Sequence, residues 1–414
     1  MDPAPIDKPY DPYAALRFRD YRLYATGNIS SIIGWQMTGV AVGWELYERT
    51  GSALVLGGVG FFQALPVLLC ALPAGHIADR YDRKTIVMAT QLIRALCLLS
   101  LAILSYYKGA ILAVYLCLFF ASTARSFSIP SRAALLPQIV PLEVFRNAVT
   151  WNNTIFEVSS ILGPAIGGLV IAKSGNATLV YIIDAVSALI QFVCLAGIRG
   201  RQQVYSSEPI TLSNLLAGIH FVRKTKIILS ALTLDLFAVL LGGATTLLPI
   251  FAKDILHIGP EGLGWLRAAP SIGACTMAIT LAHLPSLHNP GKKLLWAVAG
   301  FGVATIFFGL SKWFWFSFLM LVLIGMTDSV SVVIRHTLVQ LRTPDALRGR
   351  VSAVNGLFIG LSNELGGFES GLVAAAFGPV ISVVSGGIGT LIVVALVAWK
   401  WPEIRRLRSL SSGP

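Results

Sequence analysis

GHIADRYDRK, residues 75–84, places five charged residues between two long apolar runs, 53–78 and 85–107. A helix needs about 20 apolar residues to cross a hydrocarbon core of roughly 30 Å, and both flanking runs are long enough. The stretch therefore reads as a charged hairpin joining two membrane helices. Working outward, runs of that length recur at 22–47, 53–78, 85–107, 110–131, 148–172, 177–198, 227–252, 262–284, 292–311, 313–340, 352–376 and 380–401. Twelve spans account for most of the 414 residues, of which 55% are hydrophobic and 13% charged, with a mean hydropathy of +0.73. Composition of this kind excludes an ordinary soluble domain, whose exposed apolar surface would aggregate.

Lysine and arginine collect on the cytoplasmic side of membrane spans. With the N-terminus inside, 23 of the 32 basic residues fall in the tails and even-numbered connections, five fall opposite (Arg49, Lys108, Lys173, Lys253, Lys312), and Arg94, Arg125, Arg267 and Arg335 lie within spans. Both termini are thus expected in the cytoplasm, in a multi-pass protein of the inner or plasma membrane. The net charge of +12 is spread over separate segments and argues against nucleic acid as a partner. Residues 1–21 lack the apolar core of a cleavable signal peptide. The five cysteines are scattered singly, which points to neither a disulfide nor a metal site.

The chain repeats itself. Arg132, Leu135 and Pro141 recur as Arg335, Leu338 and Pro344, an offset of 203, and the same offset aligns ILGPAIGG at 161–168 with ELGGFESG at 364–371. The expected organisation is a cytoplasmic tail (1–21), a six-helix bundle (22–198), a linker with an amphipathic helix (199–226), a second six-helix bundle (227–401) and a tail (402–414). This is an all-α integral membrane protein of two pseudosymmetric bundles. Apolar and basic faces in LSNLLAGIHFVRKTK, from Leu212, suit a membrane surface.

Gly75, Asp79, Arg80, Arg83 and Lys84 match the GxxxDRxxRK signature of the major facilitator superfamily, and the sequence resembles that family over most of its length. GWQMTGVAVGWELYERTGSALVLG, PAGHIADRYDRK, PSRAALLPQIVP and TPDALRGRVSAVNGL look like its bacterial siderophore and multidrug exporters. Gly163, Pro164, Gly167 and Gly168 fit the end of the fifth-helix motif of antiporters, although Ser159 stands where that motif has a glycine. The second hairpin, LPSLHNPGKK, keeps Lys292 and Lys293 but has no acid where Asp79 would be. The resemblance implies that spans 1, 4, 7 and 10 line a cavity, and that the hairpin gates its cytoplasmic side with the eleventh span as partner. On physical grounds Asp79 suits the positive end of a facing helix, and the basic residues suit acids or helix ends in one state of the gate.

Ionisable residues at membrane depth cost a few kcal/mol each, so they are functional candidates. Asp235, Asp328, Glu157 and Glu364 lie near mid-membrane and suit a proton-coupling role; Glu45, near the outer end of the first span, is expected to be solvated. Arg125 and Asp328 are also 203 apart, which predicts equal depth and an ion pair across the pseudo-twofold axis. Asp184 is expected to bond a neighbouring helix, and Arg94 to serve packing. Arg267 reads either as part of an anion site or as a partner for Glu45 or Glu261. Asn28, Trp35, Gln36 and Gln63 are candidate cavity-lining residues, with Trp44, Phe61 and Phe62 as further stacking surface.

Without a nucleophile–base set, phosphate loop or metal cluster, the chain is expected to be neither an enzyme nor a cofactor carrier, and to hold no metal. The reading is a monomeric secondary transporter working by alternating access, exporting a small organic molecule, a siderophore or a lipophilic drug, against protons. A lysophospholipid flippase or metal exporter on the same fold, and a non-transporting receptor, are the alternatives.

Overall fold

The computed structural model describes residues 11–199, 212–283, 289–407 and 409. The start of the first tail, residues 200–211 of the linker, residues 284–288 of the second hairpin and the side chain of Asp79 lie outside the described residues, as does most of 408–414.

The first half holds α1 (Arg19–Thr50), α2 (Ala53–Arg80), α3 (Arg83–Tyr106), α4 (Ile111–Ile139), α5 (Leu142–Ser174) and α6 (Thr178–Ala196). A linker helix, α7 (Leu212–Lys224), leads to the second half. Its first span begins as α8 (Lys226–Leu241), breaks at Gly242 and Gly243, and resumes through a 3₁₀ turn (Ala244–Leu247), α9 (Leu248–Ile250) and a π turn (Phe251–Ile255). The two glycines interrupt what the sequence predicts as one helix, because they add backbone freedom and no side-chain packing. Then follow α10 (Gly259–His283), α11 (Pro290–Leu310), α12 (Phe314–Arg342), α13 (Asp345–Phe377) and α14 (Pro379–Lys400), with a short α15 (Pro402–Arg406) in the tail.

Twelve spans result, with the run 226–255 counted as one. Among the described residues nine spans are long and apolar enough by composition to cross a bilayer. The other three, α1, α10 and α13, carry the polar groups Glu45, Arg267 and Glu364. Helix boundaries follow local chemistry. Asp82 accepts the N–H of Thr85 at 2.9 Å to start α3, and Gly51 and Gly175 close α1 and α5 in the left-handed region at φ +61° and +74°.

The repeat decides how the halves meet. Near the helix ends opposite the chain termini, α5 crosses α10 and α2 crosses α13. A Cβ on Gly168 would stand 2.9 Å from the Cα of Gly264, and one on Gly57 would stand 3.0 Å from the Cα of Gly371. Gly168 and Gly371 are repeat equivalents, so the two crossings are images of one another. Both backbones approach closely because neither partner has a side chain there. At the same end Tyr47 donates to the Asp254 carboxylate, and the Lys253 ammonium lies 5.9 Å from the centre of the Tyr47 ring.

The C-terminal end of the linker helix packs on protein: Val222 is buried with Ile228, Leu338, Val351 and Val354 of the second half. Only Thr225 separates α7 from α8, so protein apolar surface lies within reach before lipid does.

A central cavity and two buried ion pairs

Two cavities share the walls made by Trp35, Gln36, Arg94 and Arg125. One, of about 230 Å³, lies between the halves and is lined by Thr38, Gln63, Arg267 and Glu364 among others. The other, of about 460 Å³, lies toward the terminus end of α1, α4 and α5 and includes Asn28, Arg132 and Phe156. Among the described residues, those lining the larger cavity all belong to the first half. The halves meet backbone to backbone toward the end far from their termini, and the larger cavity lies toward the end that carries them.

Of the predicted lining residues, Asn28, Trp35, Gln36, Gln63 and Arg267 take that place. Trp44, Phe61 and Phe62 do not. Trp44 is buried in the core, Phe61 packs on Phe368 across the interface at 5.1 Å, and Phe62 stacks on Tyr115 at 4.8 Å. Helical geometry explains the split, since neighbouring positions are turned by about 100° and cannot all face one cavity.

Arg125 and Asp328 do not pair. Arg125 stacks over Trp35 at 4.8 Å and comes 3.9 Å from Glu364 on α13. Asp328 instead lines a small void of about 10 Å³ inside the second half with Asp235, Thr327 and Ser331. Asp328 turns into the interior of its own half while Arg125 faces the cavity between the halves, so equivalent positions do not bring them face to face.

Each half holds a buried ion pair of its own. On α8 and α12, Asp235 forms an ion pair with Arg335, and both are almost fully buried. In the first half Asp184 on α6 pairs with Arg94 on α3 and accepts from Thr38 at 2.8 Å and Ser187 at 2.9 Å, tying α6 to α1 and α3. Glu45 is not solvated. It is buried, accepts from Tyr181 at 2.8 Å and pairs with Arg49 at 3.2 Å, because α6 covers that face of α1. Arg267 meets neither Glu45 nor Glu261 and donates to the Gly39 carbonyl at 2.8 Å. Glu157, on α5, belongs to neither cavity wall.

The hairpin is docked inside the first half. Lys84 donates to the carbonyls of Ala196 and Ile198, at 3.1 and 2.7 Å, at the C-terminal end of α6. Arg83 reaches the Ala134 carbonyl of α4 at 3.1 Å, while Arg80 is exposed and Gly75 half-buried. The negative ends of helices attract such cations. The glycines of the fifth helix serve packing: Gly163 and Gly167 abut α1 at Gln36 and Met37, and Gly168, one turn beyond Pro164, meets α10.

Arg132 is the residue sequence reasoning misplaced. It was expected in a cytoplasmic connection, yet α4 continues to Ile139 and holds Arg132 in the cavity wall, donating to Asn28 at 3.0 Å and Gln191 at 2.7 Å. A single offset of 203 hides its environment. Asn28 and Asp235, like Gly57 and Gly264, are separated by 207, and only that second offset pairs the Asn28–Arg132 contact with the Asp235–Arg335 one.

Two six-helix halves related by a repeat, enclosing a polar-lined cavity closed at one end, define a multi-pass membrane transporter of the major facilitator fold. The chain belongs to the transmembrane secretion effector family of that superfamily, whose model matches residues 10–412. It is 25% identical over 392 residues to the enterobactin exporter EntS of Shigella boydii serotype 4 (strain Sb227), covering 94% of this chain and 93% of that one. It is 26% identical over 398 residues, with the same coverage, to EntS of Escherichia coli O1:K1 / APEC. Solved structures with the same fold include a bacterial homologue of the iron transporter ferroportin in an inward-facing state (TM-score 0.72, 15% identity, 94% and 98% of the two chains). A bacterial homologue of the lysosomal transporter Spinster, inward-facing and occupied, is also similar (TM-score 0.70, 14% identity, 97% and 98%).

Proposed function

We propose that this protein is a secondary active exporter of the bacterial inner membrane, with both termini in the cytoplasm, which expels a small organic molecule in exchange for protons. The observation that carries the reading is the cavity, sealed at the end away from the termini by the paired glycine crossings and open on the other. With the basic residues of the tails and hairpins holding the terminus end in the cytoplasm, that is a state ready to load cargo from inside. The likeness to enterobactin exporters supports export of a siderophore-like or drug-like molecule.

Asp235, Asp328 and Arg335 supply a site for the coupling proton. Asp235 pairs with Arg335 and shares a small void with Asp328, so the three carry a net negative charge, and one proton makes the cluster neutral for its passage through the low-dielectric region. Arg125 and Glu364, one from each half, are the pair that alternating access would make and break at the centre. Inside-out vesicles with an imposed proton gradient test the reading, with dye dequenching followed as siderophores, lipophilic cations or lysolipids are added. Substrate-dependent proton release that Asp328→Asn abolishes is the expected result; silence from inserted protein refutes proton-coupled export.

A further inference from the structure

We propose that Arg132 is the anion-binding subsite of the larger cavity, and that the molecule carried joins an apolar or aromatic body to one acidic group. The inference deepens the export reading and rests on it for the role of the bound molecule as cargo.

Arg132 has only neutral acceptors, Asn28 Oδ1 at 3.0 Å and Gln191 Oε1 at 2.7 Å, and its buried Nε has no partner. Among the described residues no carboxylate lies within ion-pair distance of it. Asn28 is held in that orientation, because its amide nitrogen donates to Asn152 at 2.8 Å and leaves the oxygen for the guanidinium.

The second half supplies an internal control. There the equivalent arginine, Arg335, meets an aspartate at the position that Asn28 fills in the first half. This fold thus accommodates the neutralising acid, and the first half lacks it on the side where the cavity opens. A cation at membrane depth without a counter-charge is expensive, so a bound anion gains both the Coulomb attraction and the missing hydrogen bond. The neighbouring arginines do not compete equally for that anion: Arg94 is neutralised by Asp184, and Arg125 lies near Glu364.

Part of the remaining wall fits an apolar body. Trp35, Ile129 and Phe156 face a cavity of about 460 Å³, a volume suited to an organic molecule of moderate size. A lipophilic cation of the same shape meets a positive field there.

The test uses the full-length protein in lipid nanodiscs, with empty nanodiscs subtracted, and equilibrium dialysis of three isosteres: 1-naphthoate, 1-naphthamide and 1-naphthylmethylammonium. The acid is expected to bind at least tenfold more tightly than the amide, and the ammonium more weakly still. Arg132→Gln should bring the acid down to the affinity of the amide while leaving amide binding within twofold, and Arg132→Lys should keep the preference. Equal binding of acid and amide by the wild type, or a preference that survives Arg132→Gln, overturns the proposal. If Arg132→Gln loses amide binding as well, Arg132→Lys decides: a retained preference supports the anion site and a lost one refutes it. Binding is read without a gradient, so acid preference can stand where the vesicle assay finds no proton-coupled export, and the two readings fail separately.

Discussion

Arg335 on α12 is ion-paired with Asp235 on α8, at 2% and 6% exposure, in the interior of the second half. Their counterparts in the first half, Arg132 and Asn28, make the same contact without an acid. One half therefore neutralises this arginine with its own acid, and the other leaves the equivalent arginine to neutral amides.

Breaking the pair from one side strands a buried charge. Asp235→Asn is expected to destabilise the protein by about 3–5 kcal/mol, because the Arg335 guanidinium then lacks its counter-ion. Asp235→Asn combined with Arg335→Gln should recover much of that loss. Thermal unfolding of the solubilised protein checks both variants, and additive losses in the double variant would contradict the pairing.

Asp328 does not form that ion pair, so its removal should spare the fold. Asp328→Asn is expected to keep the wild-type melting temperature within a few degrees and to eliminate substrate-dependent proton release. Exchange of labelled for unlabelled substrate across the membrane, which needs no net proton movement, should persist. Loss of that exchange would mean that Asp328 serves binding or folding and not coupling.

The glycine crossings should set which end of the molecule is closed. A valine at Gly168 would drive its side chain into the backbone of α10 at Gly264 and favour opening at the end away from the termini. Spin labels at Glu48 and His257, in a background without the five cysteines, should move apart in Gly168→Val. An unchanged distance distribution would show that the crossing does not govern closure.

Orientation has a direct chemical readout. A cysteine at Lys108, in the turn between α3 and α4, should react with a membrane-impermeant maleimide in intact cells. One at Arg146, near the start of α5, should react only after permeabilisation. The reverse pattern would invert the topology and the direction of transport with it.

Docking of the hairpin at the end of α6 is a modest contribution. Lys84→Met removes two charge-assisted hydrogen bonds at a partly exposed site, so the expected loss is below about 1 kcal/mol. A larger drop in melting temperature would show that the hairpin is part of the stabilising framework of this half.

Twelve spans and the equivalence of Gly168 with Gly371 were legible in the chain, because apolar length and internal repetition are properties of sequence order alone. The candidate site was legible only by residue type. Asp235, Arg125, Glu364 and Arg267 stood out because charge at membrane depth is rare. Their partners did not, since contact depends on the azimuth of each helix and on which helices pack, and the offset of 203 carried neither. Sequence periodicity thus determined the fold and, Arg132 apart, which charges fall within spans. Tertiary packing decided that Asp328 turns into its own half, that Glu45 is covered by α6, and that Arg132 faces an open cavity with an amide where its counterpart has an acid. The physical reason is range: burial and repetition are summed along the chain, whereas an ion pair is decided by a few ångströms between residues tens to hundreds of positions apart.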